Sequence, residues 1–276
     1  MAVEFSRDIT FGQYLDLGSP VHRLDPRTKI VATGLLMLCL FFAGSFGSYA
    51  IFLVAAAILL VISRVPLGYI LRGLRLLMIT LAIFFVFQVL FFRLPPGSQP
   101  LWQWGILSIS WEGVREGIRL ILRVVLLYYL TTMLMFTTSM MDLADGFETM
   151  LEPLKRLRVP VNELVMVMVV ALKFVPLLVA EIERLIKAQA ARGARFDQGG
   201  LIARARRLAP LLIPLFVNAF NRAEVLTTAM NARCYRGGQG RTKRRVLRLS
   251  RADGLALAIA ILFAGAALAV SRVVGL

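Results

Sequence analysis

Five stretches of this chain are too apolar to sit in water: residues 30–43, 49–63, 76–92, 118–138 and 254–271. Three of them are nearly free of charge, the fourth carries Arg119 and Arg123 near its start, and the last is rich in alanine. In lipid no water is present to bond a free backbone N–H or C=O, so each stretch must satisfy its backbone internally, as a helix. A crossing needs about 20 residues, so flanking residues extend the shorter stretches. With 58% hydrophobic residues and a mean hydropathy of +0.75, the chain reads as an all-α polytopic membrane protein of about five spans. Asp25-Pro26 predicts the start of the first: a carboxylate to cap the helix, then proline at its first position. The connection 93–117 holds Pro95, Pro96, Pro100 and all three tryptophans (Trp102, Trp104, Trp111), the composition of a loop at the membrane–water interface.

Charge orients these spans. The net charge is +16. In a soluble protein that would suggest nucleic acid, but no recognition motif accompanies it, and retention of cations on the cytoplasmic side explains it more simply. With a cytoplasmic N-terminus, segments 1–29, 64–75 and 139–251 are inside and hold 4, 3 and 20 basic residues, or 27 of 32. The chain thus divides into a cytoplasmic N-terminal segment (1–29), four transmembrane helices (30–138), a basic cytoplasmic region (139–251) and a fifth transmembrane helix (252–276). The polar first segment is no cleavable leader, so the first span is expected to anchor the protein. Cys39 lies in an apolar span and Cys234 in a basic segment, so no disulfide is implied.

Two further apolar runs, 164–180 and 208–220, admit a seven-span alternative. The second has only 13 residues and two prolines, Pro210 and Pro214; the first holds Lys173 and Pro176. Seven spans would also export Arg192, Arg195, Arg204, Arg206 and Arg207, against the charge rule. Both runs are therefore read as cytoplasmic helices packed on the bundle. Three helices are expected there: 142–157, about 162–192 and about 201–234, the last two long and either antiparallel or crossing, with a reversal at 196–200. The segment 241–251 (RTKRRVLRLSR) carries six basic residues beside the last span, suited to anionic headgroups.

Within the basic region one segment occurs twice, 41 residues apart: AQAARGARFDQG from Ala188 and AMNARCYRGGQG from Ala229. Ala188, Ala191, Arg192 and Arg195 match Ala229, Ala232, Arg233 and Arg236; upstream, Glu183 and Leu185 match Glu224 and Leu226. Each copy reads as the last turns of a helix ending in arginine, where the dipole favours a cation and glycine closes the end. One such arginine usually serves only the dipole and solubility. A repeated one, approached by small alanines that keep the helix slim, points to two similar sockets on a partner.

Several chemistries are excluded. There is no glycine-rich phosphate loop, so the chain should not hydrolyse ATP. His22 is the only histidine and is expected to cap or lie at the surface, and no cluster has metal-ligand spacing, so neither metal nor cofactor is expected. The spans hold no central Asp, Glu or His; Gln88 is their notable polar group. That argues against an independent secondary transporter or channel, the alternative reading, and the lack of a nucleophile–base pair argues against an intramembrane enzyme.

The segments VHRLDPRTKIV and DGFETMLEPLKRLRVPVNEL, with the paired tips AQAARG and AMNARCYRGGQGRTK, resemble the EcfT family, from about Tyr14 to Arg251. These are transmembrane coupling subunits of energy-coupling factor vitamin importers. The resemblance implies a non-catalytic scaffold in the cell membrane that binds two ABC-type ATPases through crossing cytoplasmic helices. It also implies a membrane-embedded, substrate-binding S component that topples when ATP-driven motion reaches it. Carried over here, the ATPase-contacting signatures are Ala191-Arg192-Gly193 and Ala232-Arg233-Cys234, supported by Arg195 and Arg236. Cys234 departs from the family's glycine and puts the second helix cap in doubt. The S component is expected on the apolar faces of residues 142–180, with Phe147, Met150, Leu151, Met166 and Phe174. Small residues of the last span, Ala256, Ala260 and Ala264, are expected to permit close helix approach.

Overall fold

The computed structural model describes residues 14–92, 102–104, 107–157, 160–193, 201–237 and 249–274. Eight α-helices make up the described chain: α1 (Pro26–Phe42), α2 (Phe46–Ser63), α3 (Leu67–Leu90), α4 (Trp111–Thr137), α5 (Met140–Leu151), α6 (Val161–Ala191), α7 (Leu201–Ala232) and α8 (Arg251–Val274). A 3-10 turn, Glu152–Leu157, follows α5. The described residues fall into two compact units, one within Tyr14–Gly146 and Leu247–Leu276, the other within Phe147–Val246.

The first unit is a bundle of α1, α2, α3, α4 and α8. Asp25 caps α1 as its sequence predicts: its carboxylate accepts from the Arg27 N–H (3.0 Å), and Pro26 opens the helix. The bundle core joins Cys39, Leu40 and Ala43 of the first helix and its cap to Tyr49, Phe52, Leu126, Leu130, Ala264 and Ala267. Of the small residues expected on the last span, Ala260 and Ala264 are buried and Ala256 is half-buried; Ala267, fully buried, continues their face. Where no hydrophobic force drives helices together, such small residues let backbones approach, and here the Ser48 hydroxyl donates to the Ala267 carbonyl at 2.7 Å.

Three sequence expectations need correction. The stretch 93–117 is not all loop. Trp102–Trp104 and Leu107–Ile109 pair as a short antiparallel hairpin, β1 and β2. The fourth span then begins at Trp111, not near 118, because Ser110 caps it by accepting from the Gly113 N–H (3.0 Å) and Glu112 suits the positive end of the dipole. The helix expected over 142–157 instead runs from Met140 to Leu151 and tightens into the 3-10 turn, since Pro153 removes a backbone donor.

Among the described residues four helices are long and apolar enough to cross a membrane: α2, α4, α6 and α8. A fifth is α3, if its two segments, bent by 54° between Leu67–Arg75 and Leu77–Leu90, form one span. The number agrees with expectation but the membership differs. α1, at 17 residues, is about 25 Å long and falls short of a full crossing, whereas α6 is long and apolar enough. Pro176, Pro210 and Pro214 leave α6 and α7 continuous, so the prolines do not separate the two topologies.

One polar cluster inside the bundle has no counterpart in the sequence reading. Lys29, buried in the first turn of α1, donates to the His22 carbonyl (3.0 Å) and to the Thr137 carbonyl at the end of α4 (2.7 Å). The carboxylates of Asp142, Asp253 and Asp25 surround it electrostatically. Asp253 in turn accepts from the Asp25 N–H (2.7 Å) and from both the N–H and the hydroxyl of Ser250. The ends of α1, α4 and α8 are thereby tied at one point. His22 is half-buried, with Nδ1 2.6 Å from the Ser19 hydroxyl.

Candidate functional site

The two arginine tips are built alike. Arg192 ends α6, and its N–H reaches the carbonyls of Ala188 (3.3 Å) and Gln189 (3.1 Å). Arg233 ends α7, and its N–H reaches Ala229 (3.2 Å) and Met230 (3.1 Å), the same offsets. The next residue in each copy is left-handed: Gly193 at φ +86° and Cys234 at φ +59°. Gly193 donates to the Ala190 carbonyl (3.0 Å) and Cys234 to that of Asn231 (2.9 Å). In the second copy Tyr235 also donates to Met230 (3.0 Å), completing the six-to-one bond of a Schellman end. Cys234 therefore does not abolish the cap. It takes the glycine's conformation, at the cost that a Cβ incurs in the left-handed region, about 1–2 kcal/mol.

The tips are open. Ala191, Arg192, Gly193, Ala232, Arg233, Cys234 and Arg236 are all exposed. A short alanine, Ala191 or Ala232, precedes each exposed arginine. Arg195 lies outside the described residues.

α6 and α7 meet where Glu181, 12% exposed at its side chain, accepts from the Asn218 amide (3.1 Å) and from Arg222 (3.5 Å). Arg184 adds a second cation at 3.6 Å. Glu181 and Arg222 are separated by the repeat offset of 41, so each stands eleven residues before the arginine of its own tip. Both tips thus extend about 16 Å along their helices from the shared contact. Sequence reasoning passed over Glu181, Asn218 and Arg222. The repeat offset, carried one turn further upstream, would have found the first and last.

The CbiQ family, described as cobalt transport protein, matches residues 18–244. Among curated proteins, the energy-coupling factor transporter transmembrane protein EcfT of Ruminiclostridium cellulolyticum is 41% identical over 93% of this chain and 95% of its own length. Those of Heliobacterium modesticaldum (45% identical, 90% and 91%) and Thermanaerovibrio acidaminovorans (39%, 99% and 100%) are similar along nearly their whole chains. The chain belongs to the EcfT/CbiQ family. EcfT proteins are non-catalytic transmembrane components of a transporter, so the sequence reading of fold, membrane placement and lack of catalysis holds.

The expected S-component residues are not equivalent in this chain. Phe147, Met150 and Leu151 are exposed along one face of α5. Met166 and Phe174 are half-buried, while Leu164, Val167, Met168 and Leu177 are the exposed large apolar residues of α6. Periodicity shows that α6 has apolar faces, but not which of them the fold leaves uncovered.

Proposed function

We propose that this protein is the scaffold of an energy-coupling factor importer that couples two ABC-type ATPases to a membrane-embedded S component for uptake of a vitamin or other micronutrient. The observation that carries the reading is the pair of matched helix ends at Arg192 and Arg233, equidistant from one polar contact. Two similar protrusions on a single chain suit two similar sockets, as on a pair of ATPases. Each guanidinium would enter its socket and meet acidic or carbonyl acceptors, with Arg195 and Arg236 alongside.

Motion of the ATPases would enter at the tips and move α6 against α7 about the Glu181–Arg222 contact. The exposed face formed by Phe147, Met150 and Leu151, with the apolar residues of α6 and the expected contacts Met166 and Phe174, is where we place the S component. Uncovered apolar area of this extent needs lipid or a membrane partner. The N-terminus and the region 139–251 are assigned to the cytoplasm, because this keeps 27 of 32 cations inside. On that assignment α6, although apolar enough to span, lies against the cytoplasmic side with its arginine end in reach of soluble partners.

Purification of the tagged chain from its own cell membrane, with mass spectrometry of what accompanies it, tests the reading. Two ATPase subunits and one small membrane protein per chain are expected. A chain that purifies alone and transports a solute in vesicles without ATP would overturn it in favour of an independent transporter.

A further inference from the structure

Arg115, Arg119 and Arg123 follow one another at four-residue steps on a single face of α4. Each guanidinium lies over an aromatic ring: Trp111 at 5.8 Å, Phe46 at 5.2 Å and Phe41 at 5.8 Å. Their bonding differs. Arg123 donates to the Ala43 carbonyl (3.0 Å) and the Tyr49 hydroxyl (3.2 Å), so it is occupied in holding the end of α1. Arg119 gives one donor to Glu116, yet its Nε is buried without an acceptor. Arg115 is exposed beside an exposed Trp111.

Arg119 and Arg123 border the α1–α2 turn, through Phe46, Phe41 and Ala43. There the Gly44 N–H donates to the Ser271 hydroxyl (3.0 Å), which brings the end of α8 and the exposed Arg272 to the same place. Four arginines thus gather at this end against two carboxylates on α4, Glu112 and Glu116. The charge rule gives no reason for cations here, because this is the end of the bundle opposite the cytoplasmic segments.

Helix lengths supply one. α1 is about 25 Å long, shorter than a hydrocarbon core of about 30 Å, while α4, with 27 residues, is about 40 Å long. From Trp111 to Arg123 α4 rises about 18 Å, so lipid packed on the α1–α2 turn must lower its headgroup beside the arginine face. We propose that Arg115 and Arg119 bind the phosphodiester of an anionic phospholipid seated over the α1–α2 turn. Arg119 supplies guanidinium N–H groups that Glu116 does not take, Arg115 a bidentate edge, and Trp111 lies at the interface beside them. Because Glu116 is already engaged by Arg119, the surplus positive charge selects an anionic over a zwitterionic headgroup. The inference is independent of the coupling function proposed above.

The test uses Trp111 as reporter. The full chain with Trp102→Phe and Trp104→Phe, reconstituted in phosphatidylcholine vesicles, is titrated with brominated phosphatidylglycerol or brominated phosphatidylcholine. Quenching by the anionic lipid is expected at about tenfold lower mole fraction. Arg115→Gln/Arg119→Gln should erase that preference, Arg115→Gln alone should reduce it severalfold, and Arg115→Lys/Arg119→Lys should keep part of it. Equal quenching by the two lipids, or an unchanged preference in either glutamine variant, would overturn the proposal. So would loss of the preference on adding millimolar inorganic phosphate, since the site would then take a free anion rather than a lipid.

Discussion

Glu181 of α6 and Arg222 of α7 meet at 3.5 Å, and they are equivalent positions of the 41-residue repeat. A helix pair that touches through its own equivalent residues is a balanced lever, with each arginine tip the same length of helix from the contact. The carboxylate is shielded and uses both oxygens, so truncation strands the Asn218 amide as well as the Arg222 charge. Glu181→Ala should cost about 1–2 kcal/mol in thermal unfolding of the solubilised chain, discounted for the partial exposure of Arg222. Transport driven by ATP should fall further than stability does. The exchanged pair Glu181→Arg/Arg222→Glu should recover part of both. If the single and exchanged variants behave alike, the contact is not a pivot.

Cys234 holds a left-handed backbone that Gly193 holds in the first copy, so replacing it with glycine should tighten the second tip. The expected gain is about 0.5–1 kcal/mol, the cost of a Cβ there less the extra freedom glycine gains when unfolded. Hydrogen exchange reads it locally: the amides of residues 234 and 235, which donate to Asn231 and Met230, should exchange about two- to fivefold more slowly. Gly193→Ala should do the reverse at the first tip. No change in either would mean that the two caps differ in strain from what their φ angles imply.

Lys29 donates to the His22 and Thr137 carbonyls, and three carboxylates face it. Lys29→Met keeps much of the volume but strands those carbonyls and leaves the acidic groups unbalanced. A loss of about 2–4 kcal/mol is expected, read as a lower unfolding temperature in detergent. An unfolding temperature within a degree of the parent would show that the cluster relaxes without its cation.

What the sequence made legible is what short-range chemistry writes. The Asp25-Pro26 start, the ends of α6 and α7 within a residue or two, and the alanine face of α8 all follow from local pattern. Other features depend on partners distant in the chain. Lys29 meets Thr137, 108 residues away, and Asp25 meets Asp253, 228 residues away, and nothing in the neighbouring residues announces either bond. The early start of α4 was hidden because Arg115, Glu116 and Arg119 interrupt the apolar run; the fold accommodates them by stacking two of those guanidinium groups on Trp111 and Phe46. At the candidate site the repeat marks both tips, but periodicity leaves open which face of α6 is bare: it points to Met166 and Phe174, whereas Val167 and Met168 are more exposed.

Orientation can be read from the protein's own thiols. Cys39 is buried and Cys234 is exposed at the second tip. With Cys39→Ala and the chain expressed without its partners, a membrane-impermeant maleimide should label Cys234 only after the cells are permeabilised. Ready labelling on intact cells would contradict the cytoplasmic assignment of the second tip; the seven-span arrangement, which exports 181–207 and keeps Cys234 inside, is tested by the same labelling of Gln198→Cys in a chain lacking both native thiols.

The central claim is that Arg192 and Arg233 each seat one ATPase, and charge reversal measures it most directly. The tagged chain is purified with Arg192→Glu, Arg233→Glu or both, and the ATPase subunits that accompany it are counted. Losing one partner of a buried charge pair costs about 3–5 kcal/mol, enough to empty a socket. Each single variant should therefore lose about half of the bound ATPase, and the double variant should lose all of it while remaining in the membrane at parental abundance. A double variant that still carries two ATPases and supports ATP-driven uptake would contradict the account.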